Sequence, residues 1–128
     1  MKAAGGGRAL GVLGAALGFL ALALGAFGAH ALKSRLEPAM LEIFETGVRY
    51  QFYHVFAIFI ALWAAERHPR ARLAGWLFVV GIVIFSGSLY LLVATGQRWL
   101  GAITPIGGLA LLAGWIALAL ALLRPPAP

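Results

Sequence analysis

Apolar positions in this chain gather into four long runs, about residues 9–32, 48–65, 73–95 and 105–123, each bounded by charged or helix-breaking residues. Each run is close to or above the ~20 residues that an α-helix needs to cross a hydrocarbon core at about 1.5 Å per residue. The pattern predicts an all-α, single-domain integral membrane bundle of four transmembrane helices. Lys2 and Arg8 precede the first run and Ala29-His30-Ala31 has the form of a signal-peptide cleavage site. The run is longer than the usual ~7–15-residue signal core and three more follow, so it reads as a retained helix.

The polar stretches between the runs carry their own pattern. From Lys33 to Thr46, the residues Glu42, Glu45, Thr46 and Arg49 share one helical face and Met40, Leu41, Ile43, Phe44 and Val48 the other. That amphipathicity predicts a short helix over residues 38–46 lying in the membrane interface, with Pro38 in its first turn. Ser34 and Glu37 have capping-box spacing, and Gly47 is placed to turn the chain into the second span. Glu66-Arg67-His68-Pro69-Arg70 breaks the chain again, as does Gly96-Gln97-Arg98. Thr104-Pro105 offers a helix cap followed by the residue best suited to the first helical position.

Small residues recur three and four apart in two of the runs. Gly7, Gly11, Gly14, Gly18, Ala21, Gly25 and Gly28 draw one seam down the first, and Gly107, Ala110, Gly114, Ala117 and Ala121 another down the last. Glycine is unfavourable inside a helix, so a seam of it predicts close packing against a neighbouring helix or a second chain.

Composition agrees with the pattern. The 128 residues are 62% hydrophobic, with mean hydropathy +0.95, where a soluble domain has roughly 45–50% apolar residues. The net charge of +6 sits at the ends of apolar runs, with no basic stripe interleaved with aromatics, so nucleic acid is not an expected partner; the lipid bilayer is. Lys2, Arg8, Arg67, Arg70, Arg72 and Arg124 fall on one side of a four-span topology, and Lys33, Arg35, Arg49 and Arg98 on the other. Six against four predicts cytoplasmic termini. The absence of cysteine removes disulfide and thiolate chemistry; Asp is absent too, and none of the four glutamates sits mid-span.

Several blocks, taken together, resemble a known family. Gly25-Ala26-Phe27-Gly28-Ala29-His30, then Phe44-Glu45-Thr46-Gly47-Val48-Arg49-Tyr50-Gln51-Phe52-Tyr53-His54, Phe85-Ser86-Gly87-Ser88-Leu89-Tyr90 and Thr104-Pro105-Ile106-Gly107-Gly108, with Gly114-Trp115 beyond, are similar to the YgdD-like family of small bacterial inner-membrane proteins. The resemblance implies four spans in a bacterial inner membrane and no assigned activity.

The richest candidate chemistry lies at the start of the second span. Gly47, Tyr50, Gln51 and His54 share a helical face, an expensive arrangement in lipid unless other helices or water satisfy it. Glu45, Arg49, Tyr50, Gln51, His54, Ser86, Ser88, Tyr90 and Thr104 form the candidate ligand cluster. Structural hydrogen bonding is the plainer role for His54, with Ser86, Ser88 or Tyr90 as partners. Arg49 reads as reaching for head groups, pairing with Glu45 four residues earlier, or binding a lipid phosphate. His30 and His54, with Glu45, are a weak metal or haem set, since two imidazoles at depths differing by roughly 6 Å suit one ion poorly. The tryptophans, Trp115 among them, and Tyr50 and Tyr53 read as interfacial aromatics. Ser86 or Ser88 with His54 would make at best a dyad without an orienting acid. The expectation is therefore a protein that is not an enzyme and has no cofactor. Its predicted work is to bind a lipid-like ligand, another membrane protein or a second copy. The alternative is a subunit of a small-solute or proton-linked transporter or channel lined by the cluster around His54.

Overall fold

The computed structural model describes residues 4–128. Helix α1 spans Ala4–Phe27 and runs on into a π-helical turn, Gly28–Leu32; α2 spans Pro38–Ala65, α3 Ala71–Thr95 and α4 Thr104–Leu122, the last preceded by a 3-10 turn at Arg98–Ala102. All four helices are long and apolar enough to cross a membrane. Their outer faces carry large apolar side chains, with Phe19 72% and Trp63 70% exposed, a surface that lipid rather than water can cover.

The helices pack in chain order, α1 on α2, α2 on α3 and α3 on α4, and α1 does not reach α4. The four-helix bundle is thus left open between α1 and α4, with α2 and α3 at its centre. Phe78, Leu10, Ile58 and Ile82 are fully buried between them. Up-and-down topology brings the start of α1, the tail after α4 and the 66–70 connection to one end, where Ala127 N–H donates to the Arg67 carbonyl at 2.7 Å.

The α1 seam lies against α2. A Cβ on Gly11 would meet Leu62 at 3.6 Å, on Gly14 Phe59 at 3.1 Å, on Gly18 Val55 at 3.3 Å and on Gly25 Val48 at 3.3 Å. At the π turn a Cβ on Gly28 would stand 2.7 Å from the Phe44 ring, too close for a side chain unless the ring shifts. The α4 seam packs on α3: Gly107 lies against the Phe85 backbone, and Gly114 takes the Phe78 ring, whose Cε1 is 2.5 Å from where a Cβ would stand. Both seams serve packing within one chain.

Four local expectations are corrected. Residues 38–46 are not a separate interfacial helix but the first turns of the 28-residue α2, and Gly47 bends nothing. Its hydrogen atom makes room for Tyr90, whose Cε1 would sit 2.8 Å from a Cβ there. Ser34 and Glu37 form no capping box: Glu37 is the N-cap without a side-chain bond, although Pro38 does open the helix. Thr104 is no cap either, since its hydroxyl turns to Ser88 at 2.6 Å. The break after α3 is as expected, with Gly96 at φ 71° closing the helix through its N–H to the Leu92 carbonyl, a conformation that favours glycine.

Candidate functional site

Three sets of polar side chains tie the layer together. In the first, Gln51 on α2 donates from Nε2 to the Leu17 carbonyl of α1 at 2.7 Å, while its Oε1 accepts from the Tyr90 hydroxyl of α3 at 2.7 Å. One turn away Ser86 donates to the Gly47 carbonyl at 2.7 Å. Gly18 and the fully buried Ala21 let α1 come close enough for the amide to reach its backbone. An amide with both ends engaged in an apolar layer is held in one orientation, because its reversal would set Oε1 against the Leu17 carbonyl oxygen and leave that carbonyl without a donor.

The second set joins α3 to α4. Ser88 shares a hydrogen bond with Thr104, and Ser88 also reaches its own helix at Phe85 O, 2.9 Å away.

The third joins α2 to α4, which otherwise touch sparingly. Trp115 Nε1 donates to His54 Nε2 at 3.1 Å, and His54 Nδ1 lies 2.7 Å from the Tyr50 carbonyl. An indole N–H only donates and a carbonyl only accepts, so together they require the neutral imidazole with its proton on Nδ1. Phe78 packs beneath both rings, with centroids 5.6 Å from His54 and 5.1 Å from Trp115.

Most of the candidate cluster is thus brought together, in three groups rather than one. His54 does not use Ser86, Ser88 or Tyr90, as the sequence led one to expect; its partner is Trp115, and no serine–histidine dyad forms. Glu45 and Arg49 stand apart on the exposed face of α2, where Arg49 Nη2 donates to Thr46 Oγ1 at 3.3 Å; of the three readings of Arg49, the pairing with Glu45 is not made. The two-histidine metal set also fails on geometry: His30 is exposed on the π turn and both ring nitrogens of His54 are taken. Among the described residues no three metal-ligating side chains converge. Trp115 is a partner of His54 and not an interfacial aromatic. Its position in the middle of the 105–123 run, too deep for the head-group level, was the available signal.

Beside the third set a cavity of about 500 Å³ opens sideways between the helices. Tyr50, stacked on Phe85 at 4.8 Å and 10°, and His54 with Trp115 form its polar edge, and Pro105, Leu109 and Leu112 are among its apolar walls. Gly108 contributes no side chain, which leaves the groove open: a Cβ there would meet only Phe85, at 3.9 Å.

Comparison with known proteins agrees with this architecture. A family described as "Protein of unknown function (DUF423)" matches residues 24–108. The UPF0382 membrane protein YwdK of Bacillus subtilis (strain 168) is 42% identical over 116 residues, covering 88% of this chain and 94% of that protein. A UPF0382 membrane protein of Haemophilus influenzae is 45% identical over 103 residues, covering 80% and 83%. One of Staphylococcus haemolyticus is 44% identical over 108 residues, covering 84% and 88%. No solved structure matches. The chain, with four membrane-spanning helices and relatives named as membrane proteins along most of its length, belongs to the DUF423 family, that of the UPF0382 membrane proteins.

Proposed function

We propose that this multi-pass protein binds a lipid-like molecule in the lateral groove between α2, α3 and α4, in a bacterial inner membrane with both termini cytoplasmic. The observation that carries the reading is the groove itself: about 500 Å³ of mostly apolar wall, with a phenol, an imidazole and an indole gathered along one edge. Pockets of that size and make-up suit an apolar body with one small polar group. The Tyr50 hydroxyl is the group that would orient such a ligand, because the imidazole of His54 already has both nitrogens engaged. The remaining polar residues favour binding over transport. Gln51, Ser86, Ser88, Tyr90 and Thr104 are used up in bonds to backbone and to each other, which stiffens the groove's frame rather than lining a path for a solute. No nucleophile with a base stands at the groove, so the role proposed is not catalytic.

Native mass spectrometry in a mild detergent tests this with wild type beside Gly108→Leu, which fills the groove without touching a polar bond. A lipid adduct on the wild type that Gly108→Leu loses, at unchanged melting temperature, supports the groove. An adduct of equal occupancy on both proteins, or none on either, overturns it.

A further inference from the structure

The end of the layer that holds the start of α1 and the tail after α4 is strongly basic. Arg8, Arg67, Arg70, Arg72 and Arg124 gather there against one carboxylate side chain, Glu66, among the described residues. Two cavities at this end share Arg70, Ala121 and Arg124 in their walls. The first, about 150 Å³, is lined by His68, Arg70 and Arg124 and closed by the tail residues Pro125 and Ala127. That tail is held down by the bond from Ala127 N–H to the Arg67 carbonyl. The second, about 190 Å³, shares Arg70 and Arg124 and continues along α3 and α4 past Leu73, Ala117 and Leu120. Leu73 and Leu120 are 61% and 57% exposed, so this limb faces the bilayer. No carboxylate side chain lines either cavity.

We infer that these two neighbouring cavities together form a site for an anionic phospholipid: its phosphate sits between Arg70, Arg124 and His68, and an acyl chain lies along Leu73 and Leu120. Guanidinium groups match phosphate oxygens in pairs and give up hydration more readily than an ammonium. Basic pockets between helices at the head-group level bind charged head groups in this manner. The polar limb at the helix ends and the apolar limb toward the bilayer stand in the order of a phospholipid's own parts. The site lies at the opposite end of α4 from Pro105 and the lateral groove, so either can fail without the other.

The test is native mass spectrometry of the full chain with dioleoyl phosphatidylglycerol, dioleoyl phosphatidylcholine or inorganic phosphate. The wild type should retain phosphatidylglycerol over phosphatidylcholine, and Arg70→Gln with Arg124→Gln should cut that occupancy roughly tenfold. Arg70→Lys with Arg124→Lys should restore part of it, separating charge from folding. Leu120→Trp, which narrows the apolar limb with every charge in place, should weaken the lipid, and Gly108→Leu should leave it unchanged. Equal retention of the two lipids, or undiminished phosphatidylglycerol on the double glutamine variant, overturns the site. Displacement of the lipid by millimolar inorganic phosphate, equally in wild type and Leu120→Trp, would assign the pocket to free phosphate and overturn the phospholipid.

Discussion

Trp115 donates its indole N–H to His54 Nε2 across 3.1 Å, joining two helices that otherwise touch sparingly. The bond links residues 61 positions apart. It makes the imidazole a structural group with a defined tautomer, and it holds one edge of the lateral groove in place.

Nitrogen NMR of ring-labelled protein should therefore show His54 neutral and protonated at Nδ1. A population of the Nε2–H tautomer would contradict the geometry, since that proton would point at an indole N–H.

His54→Ala and Trp115→Phe should each lower thermal stability, and less than additively when combined. Interhelical hydrogen bonds in membranes couple by about 0.6 kcal/mol on average and by up to about 1.7 kcal/mol. A double-mutant cycle of unfolding in detergent reads this coupling, and strictly additive losses would mean that the bond contributes nothing.

Gln51→Leu should cost more than the loss of two bonds suggests, because it leaves the Tyr90 hydroxyl without its acceptor. A stranded buried donor costs roughly 1–3 kcal/mol, whereas removing both partners together approaches neutrality. Gln51→Leu combined with Tyr90→Phe should thus melt above Gln51→Leu alone. A lower melting temperature for the double variant would refute the pairing.

Two glycines should respond in opposite directions to the same added methyl. Gly107→Ala forces a Cβ onto the Phe85 backbone and should destabilise by about 1–3 kcal/mol, as overpacking usually does. Gly87 has nothing within 4 Å of the equivalent position. Gly87→Ala should be neutral or stabilising by up to about 1 kcal/mol through helix propensity. Melting curves of the two variants side by side check this, and equal effects would undo the assignment of the α4 seam to α3.

Much of this protein was determined by its sequence alone, because a bilayer makes local demands. Each helix satisfies its own backbone, so the length and apolarity of residues 73–95 and 105–123 suffice to place α3 and α4 to within a residue or two. The glycine spacing in residues 7–28 likewise announces close packing, since so many glycines in a helix require compensation. Gly47 shows where local reading stops: the same residue suits a bend or a close contact, and only the Tyr90 ring lying over it decides for the contact. Thr104 before Pro105 has the local form of a cap, yet Ser88, 16 residues earlier, draws its hydroxyl away. The pairing of His54 with Trp115 depends on which faces of α2 and α4 meet across Phe78, and the groove and the basic cavities exist only between helices. Hydrogen bonds and cavities of this kind are set by how the helices rotate and cross, which side-chain volumes throughout the layer determine together.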